Sequence, residues 1–198
     1  MFTSRVTATL VSSMGNDLAP AYAAWVSTGR GIDRTEAEAI ALVERLGKEK
    51  HHTCFEHQTA TFEIEVPIYI GRQLLRYRHL SPNELSGRYK SFSNSQAFIL
   101  ELLPEQAQHI IMDNFERCLE NYRVLRAIGV KKEDSRAVLP LNTMTRIQAT
   151  ANLREWCHIV HQRDSGHAQY EIRLIAQQIK IQLLKLWPVS TINLLDNM

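Results

Sequence analysis

The sequence predicts an α+β protein in which a small antiparallel sheet is combined with long helices that dominate the second half. Three observations carry this expectation. Polar and apolar residues alternate strictly at Arg5–Leu10 and again at Thr59–Val66, the signature of half-buried strands. Apolar residues recur at helical spacing over several stretches, the longest being Pro104–Ile128 and Asn142–Val160. No internal repeat, linker or low-complexity tract interrupts the 198 residues, so a single domain over residues 1–198 is expected.

Taken in order, Val6, Ala8 and Leu10 alternate with Arg5, Thr7 and Thr9 in a first strand. Residues 17–26 read as a helix, followed by a loop over STGRGID. Thr35–Lys48 is expected to be helical, with Ile40, Leu42, Val43 and Leu46 as its buried stripe. In TATFEIEV, Phe62, Ile64 and Val66 share one face, and Thr61, Glu63 and Glu65 the other. Pro67 suits a first helical turn, and IYIGRQLLRYR can continue it, which would put Gln73, Arg76 and Tyr77 on one face. SPNELSG then breaks the helix into a loop. The two long helical stretches are separated by a Pro-marked turn at LPLN. After an interruption at Gly166, a last helix covers about Ala168–Leu186 and stops at Pro188.

Composition excludes several classes. With 44% apolar and 22% charged residues the chain is an ordinary globule, and a net charge of +2 does not by itself imply nucleic-acid binding. Sixteen Arg against seven Lys favour local anion pockets, because the guanidinium is a rigid bidentate donor. MFTSRVTATLV lacks the pattern of a signal peptide, and no segment approaches the roughly 20 apolar residues of a membrane span. Cys54, Cys118 and Cys157 are isolated and odd in number, which fits a reducing cytoplasm.

Two polar clusters carry candidate chemistry. In RYRHLSPNELSGRY, Arg76–Tyr89, Ser86 and Arg88 flank Gly87, and backbone amides, a hydroxyl and a guanidinium together make a phosphate seat. Glu84 beside them could accept from a hydroxyl or a ring N–H; the plainer alternative is a surface turn whose charges pair with one another. In QRDSGHAQYE, Arg163, His167 and Gln169 straddle a turn, with Asp164 or Ser165 as an alternative helix cap. His51, His52 and His57, and the pair His158 and His161, lack the ligand spacing of a zinc site. Cys118 and Cys157 sit among apolar helix neighbours, and only Cys54 has a helpful neighbour, His52. Local chemistry thus reaches an enzyme or binder with a phosphate-bearing ligand.

RYRHLSPNELSGRY also resembles the flavin-dependent thymidylate synthase signature RHRxxSxNExSxRY, with Tyr77 where the family has His. The stretch from His51 through FEH to the RQxxRxR segment, and the block SRAVLPLNTMTRIQATANLREWCHIVHQRDSGHAQYEIR, are similar to the family as well. The resemblance implies conversion of dUMP to dTMP. Methylenetetrahydrofolate would be the carbon donor and NADPH-reduced FAD the hydride source, with no enzyme cysteine adding to the ring. It implies a homotetramer whose sites draw on several subunits. By position, Arg76, Tyr77, Arg78, Ser27, Asn152 and His158 are expected to contact FAD, and His51 to lie near the flavin ring and the folate. Gln73, Glu84, Ser86, Arg88, Arg136 and Arg163 are expected to hold dUMP, with Ser86 and Arg88 on the phosphate and Arg163 polarising the pyrimidine. Tyr77 keeps an aromatic face but cannot be cationic near neutral pH. Two rival readings stay open: a flavin- and folate-dependent hydroxymethylase of deoxypyrimidine nucleotides, and a non-catalytic nucleotide or single-strand binder.

Overall fold

A computed structural model of the chain describes residues 1–29 and 34–198. The expected STGRGID loop therefore lies partly outside the described residues. The elements in order are β1 (Phe2–Thr3), β2 (Thr7–Met14), α1 (Ala19–Ser27), α2 (Glu36–Lys48), a 3-10 turn (His52–His57), β3 (Thr59–Pro67), α3 (Ile68–Leu74), β4 (Ser81–Glu84) and β5 (Ala97–Phe98). They continue with α4 (Glu105–Ala127), α5 (Lys132–Ser135), a 3-10 turn (Arg136–Val138), β6 (Met144–Asn152), α6 (Leu153–Arg163), α7 (Tyr170–Leu186) and α8 (Pro188–Leu195). The main sheet has the order β2-β3-β6-β4, and the chain has the expected α+β class, a small antiparallel sheet with long helices.

Three elements differ from the sequence expectation. The helix after Pro67 ends at Leu74, so Arg76, Tyr77 and Arg78 are not helical and do not share a face with Gln73. Ile70 and Leu74 are its buried anchors, one turn apart, and the next positions on that stripe are Tyr77 and Arg78, which bring no aliphatic group to bury. SPNE is a strand rather than a loop. The stretch read as one helix from Asn142 is a strand followed by a helix. Thr145, Ile147, Ala149 and Ala151 turn inward in strict alternation with Arg146 and Gln148, and Asn152 caps α6 by accepting from Glu155 N–H at 2.9 Å. The helix read as ending before Pro188 does so at Leu186, and Pro188 opens one further helix, α8.

The described chain forms two compact units, one of Met1–Thr7, Ile64–Arg76 and Asn83–Ile147, the other of Ala8–Glu63, Tyr77–Pro82 and Gln148–Met198. In the first, β1 pairs in parallel with β5, and α4 lays Phe115 and Leu119 on Ala97 with Phe2 and Leu139 alongside. Gly71 lets α3 approach closely: a Cβ there would sit 3.0 Å from Ile147 Cδ1.

In the second unit α6, α7 and α8 pack on one another, and α2 packs on α8. Trp156 of α6 is fully buried, donates to Ala60 O at 2.9 Å, and meets the Phe62 ring edge-on at 4.9 Å. β2 is a sheet edge, and α7 answers its backbone: Gln178 accepts from Ala8 N–H, and Gln182 accepts from Leu10 N–H and donates to Ala8 O. Asp17 caps α8 through the amides of Val189 and Ser190, both at 2.8 Å. Asp164 and Ser165 do not cap α7: its N-cap is Gln169, and Asp164 receives Lys180 and Gln177.

Candidate active site

The first unit gathers the anion-binding candidates. β4 ends at Glu84, and Leu85 N–H still bonds to Arg146 O at 2.8 Å, so the strand holds until the turn begins. Ser86 O then accepts from Tyr89 and Lys90 N–H, and Ser86 Oγ accepts from Arg88 N–H at 3.3 Å. Gly87 is where another chain segment comes close, since a Cβ there would lie 2.9 Å from Arg136 Cδ and 3.0 Å from Phe92 Cε2.

The short helix α5 brings that segment in. Its Glu133 accepts from Arg88 Nε at 2.9 Å, its backbone oxygen accepts from Arg136 Nε at 3.1 Å, and Lys132 Nζ donates to Tyr89 O. The Arg88 hydrogen bond and charge hold the Glu133 carboxyl below its usual range. Ser86, Arg88 and Arg136, separated by up to fifty positions in sequence, thus surround one turn. Glu84 is exposed on β4 and accepts from Thr145 Oγ1 at 2.8 Å. Gln73 is half-buried on α3, and Arg76 is exposed just beyond it. A cleft of about 390 Å³ in the same unit is lined by Glu65, Leu85, Phe92, Asn94, Thr145 and Arg146.

The second unit gathers most of the flavin candidates. Tyr77 donates its hydroxyl to Gln162 Oε1 at 3.0 Å and accepts from Arg163 Nε at 2.8 Å. The Arg163 guanidinium carbon lies 5.4 Å from the Tyr77 ring centre, and the His158 ring meets Tyr77 edge-on at 5.9 Å. His158, Gln162 and Arg163 all come from α6, whose start Asn152 fixes. Arg78 is exposed in the turn after Tyr77.

Two clefts accompany this cluster. One of about 470 Å³ is lined by Asn152 and His158 together with His52, His79, Arg154 and His161. His52 Nε2 is buried there and has no hydrogen-bond partner among the described residues. Burial, with the Arg154 and Lys50 charges, holds the His52 imidazole below its usual pKa. The other cleft, about 450 Å³, contains Ser27 and His51 with Trp25, Arg45, Thr53 and Cys54. His51 Nε2 lies 3.4 Å from Glu49 Oε2.

The thiols are poorly suited to nucleophilic work. Cys157 is fully buried and burial pushes its pKa far up, while burial also raises Cys54. Sequence reasoning missed Glu133 and Gln162, the two residues that hold Arg88 and Tyr77. Gln162 adjoins Arg163 in a segment already singled out, whereas nothing in KKEDS marked Glu133.

With this geometry in view, the likenesses to known proteins can be read. Residues 9–189 match the family described as thymidylate synthase complementing protein. The chain is 35% identical over 181 residues to the flavin-dependent thymidylate synthase of Thermotoga neapolitana, covering 86% of this chain and 82% of that one. Against the flavin-dependent thymidylate synthase of Thermus thermophilus it is 35% identical over 185 residues, 86% of this chain and 68% of that one. A solved UMP/dUMP methylase from Streptomyces cacaoi, bound with 5-Br dUMP, has a TM-score of 0.88 and 29% identity over 97% of this chain and 95% of its own. Since the matched region contains every residue placed in these clusters, the chain belongs to the flavin-dependent thymidylate synthase family.

Proposed function

We propose that this chain methylates dUMP to dTMP, taking the carbon from methylenetetrahydrofolate and the hydride from FAD that NADPH has reduced. One observation carries the reading: Ser86, Arg88 and Arg136 converge on the turn at Gly87, where a hydroxyl and two guanidiniums suit a nucleotide phosphate. Glu84, two residues before that turn, would accept from the sugar or the base, and Gln73 would complete the dUMP set. Arg163 would lie against the pyrimidine.

The residues of the second unit fit a flavin nucleotide. The 470 Å³ cleft offers a carboxamide, several imidazoles and a guanidinium, and the unpartnered His52 Nε2 is the kind of buried polar atom that a bound group would satisfy. Asn152, His158, Tyr77 and Arg78 of this unit would hold the dinucleotide, and Arg76, which belongs to the first unit, is a further flavin candidate. Ser27 and His51 would serve its ring and the folate beside it. When bound, the reduced flavin supplies the hydride.

The chain's own part is positional and electrostatic. Ser86, Arg88 and Arg136 fix the phosphate end, and Arg163 stabilises negative charge developing on the pyrimidine N–C=O system, which makes carbon 5 nucleophilic without a thiolate adduct. The raised pKa values of Cys54 and Cys157 support that route.

A hydroxymethyl product and a non-catalytic binder gain no support from relatives named thymidylate synthase or methylase. UMP deserves a parallel assay, because the Streptomyces cacaoi methylase is also solved with 5-Br UMP. We also read the chain as one domain that assembles as a homotetramer in the cytoplasm without nucleic acid. Neither compact unit is a continuous stretch, and β3, β4 and β6 each run through both. Among the described residues no helix is long and apolar enough to cross a membrane. The test is anaerobic turnover of dUMP and UMP with the folate and NADPH, with the product identified by mass. A yellow protein yielding dTMP supports the reading, whereas colourless protein or unchanged dUMP refutes it.

A further inference from the structure

Position 77 departs from the family signature, and the structure shows what the new side chain does. A phenol has one proton to give and lone pairs to receive with. Here the proton goes to Gln162 Oε1, which turns the lone pairs toward Arg163 Nε–H at 2.8 Å. The guanidinium is held at Nε by the hydroxyl, and its carbon lies 5.4 Å from the centre of the same ring. Since Nε–H is a single donor, the four N–H groups on the two terminal nitrogens remain to face a ligand. His158 braces the ring edge-on from one turn earlier on α6, so ring and arginine share one support.

We propose that the Tyr77 hydroxyl is a positioning group for the substrate arginine. It sets the direction of the Arg163 guanidinium, so the residue that contacts flavin through its ring also orients the group that polarises the pyrimidine. The inference rests on the reading of Arg163 given above. Tyr77 makes no contact with reacting atoms in this role and acts through Arg163.

The test uses the flavin-loaded protein and four variants: Tyr77→Phe, Arg163→Ala, both together, and Gln162→Leu. Flavin content is read from absorbance, dUMP affinity from flavin fluorescence, and turnover by product mass. Tyr77→Phe is expected to stay yellow, because the ring is kept, and to lose about ten- to hundredfold in turnover, the cost typical of a displaced catalytic group. Gln162→Leu, a change at an exposed residue, is expected to lose turnover in the same direction by freeing the hydroxyl to rotate.

The coupling is decisive. In the Arg163→Ala background, Tyr77→Phe should change the dUMP Kd by less than about twofold, since the hydroxyl then has nothing to orient. A Tyr77→Phe protein with parental turnover beside an inactive Arg163→Ala overturns the inference and leaves the role of Arg163 standing. So does an equal effect of Tyr77→Phe on Kd with and without Arg163. Full turnover in Arg163→Ala overturns both, and marks the underlying reading as the fault.

Discussion

Replacing Gly87 by Ala adds one carbon at the point where the nucleotide-phosphate candidates meet. Gly87 does not have a left-handed backbone, so Ala is conformationally acceptable and the effect is confined to contacts. The new Cβ would lie 2.9 Å from Arg136 Cδ and 3.0 Å from Phe92 Cε2. Carbon atoms rest at about 3.5–4.0 Å, so something must retreat by roughly 0.6–1.1 Å. Phe92 is only 6% exposed and its backbone is pinned by Tyr122, whereas the Arg136 side chain is flexible. Arg136 therefore moves, and its bond from Nε to Glu133 O lengthens or breaks.

If Arg136 is a phosphate ligand, Gly87→Ala costs about one charge-assisted contact, roughly 1.5–3 kcal/mol, or a ten- to hundredfold weaker Kd for dUMP. Titration followed by flavin fluorescence measures this, with deoxyuridine as the control that lacks the phosphate. Deoxyuridine binding is expected to be unchanged. A folded, yellow Gly87→Ala protein that binds dUMP like the parent would refute the phosphate assignment. An equal loss for deoxyuridine would show that the damage lies elsewhere.

Three further outcomes are expected. Asn152→Ala should lower stability by about 0.5–2 kcal/mol in urea unfolding through loss of the α6 cap, and Asn152→Ser should restore stability without restoring flavin affinity, since only the carboxamide retains an N–H₂. Glu133, whose folded pKa is lowered by Arg88, contributes stability above its unfolded value that fades as pH falls through the lowered one. The urea midpoints of the parent and Glu133→Gln should thus differ at neutral pH and converge below about pH 4. Replacing Cys54, Cys118 and Cys157 by Ala should leave turnover intact in product assays, because burial disfavours the thiolate at Cys54 and Cys157; a dead but folded, flavin-loaded protein would reinstate a thiol mechanism.

The readable parts of the fold were those whose pattern and packing agree. Phe62, Ile64 and Val66 are buried in β3 as their alternation required, and α2 begins at Thr35 with a reciprocal capping box to Glu38. β6 was misread because Met144, Gln148, Ala149 and Ala151 are good helix formers in isolation. Its strand is imposed by its neighbours in the sheet, visible in the Thr61–Thr150 hydroxyl pair at 2.8 Å, and pairing of that kind leaves no local mark. In the site, Ser86 and Arg88 could be recognised because they adjoin. Arg136 came only through family resemblance, since it is α5 that carries it to Gly87. The Tyr77–Arg163 contact joins residues 86 apart and had no sequence signal.

The segment misread most often, Leu75–Glu84, is also the one that carries ligand candidates, and a single physical cause connects the two. A strand that buries a stripe, such as β3, carries a periodicity that can be read, even where helix-forming residues mask it as in β6; an element with no buried face carries none. All four residues of β4 are exposed, so its pairing is not driven by burial. β4 lies at a sheet edge, where Pro82 is tolerated because its missing N–H need not join a ladder. The extended backbone advances about 3.3 Å per residue and turns alternate side chains to the same side. Within β4, Pro82 and Glu84 therefore stand roughly 7 Å apart and face alike, and Ser86 opens the turn that follows. The polar strand that defeated the pattern reading thus delivers Glu84 to the start of the turn that Ser86, Gly87 and Arg88 form.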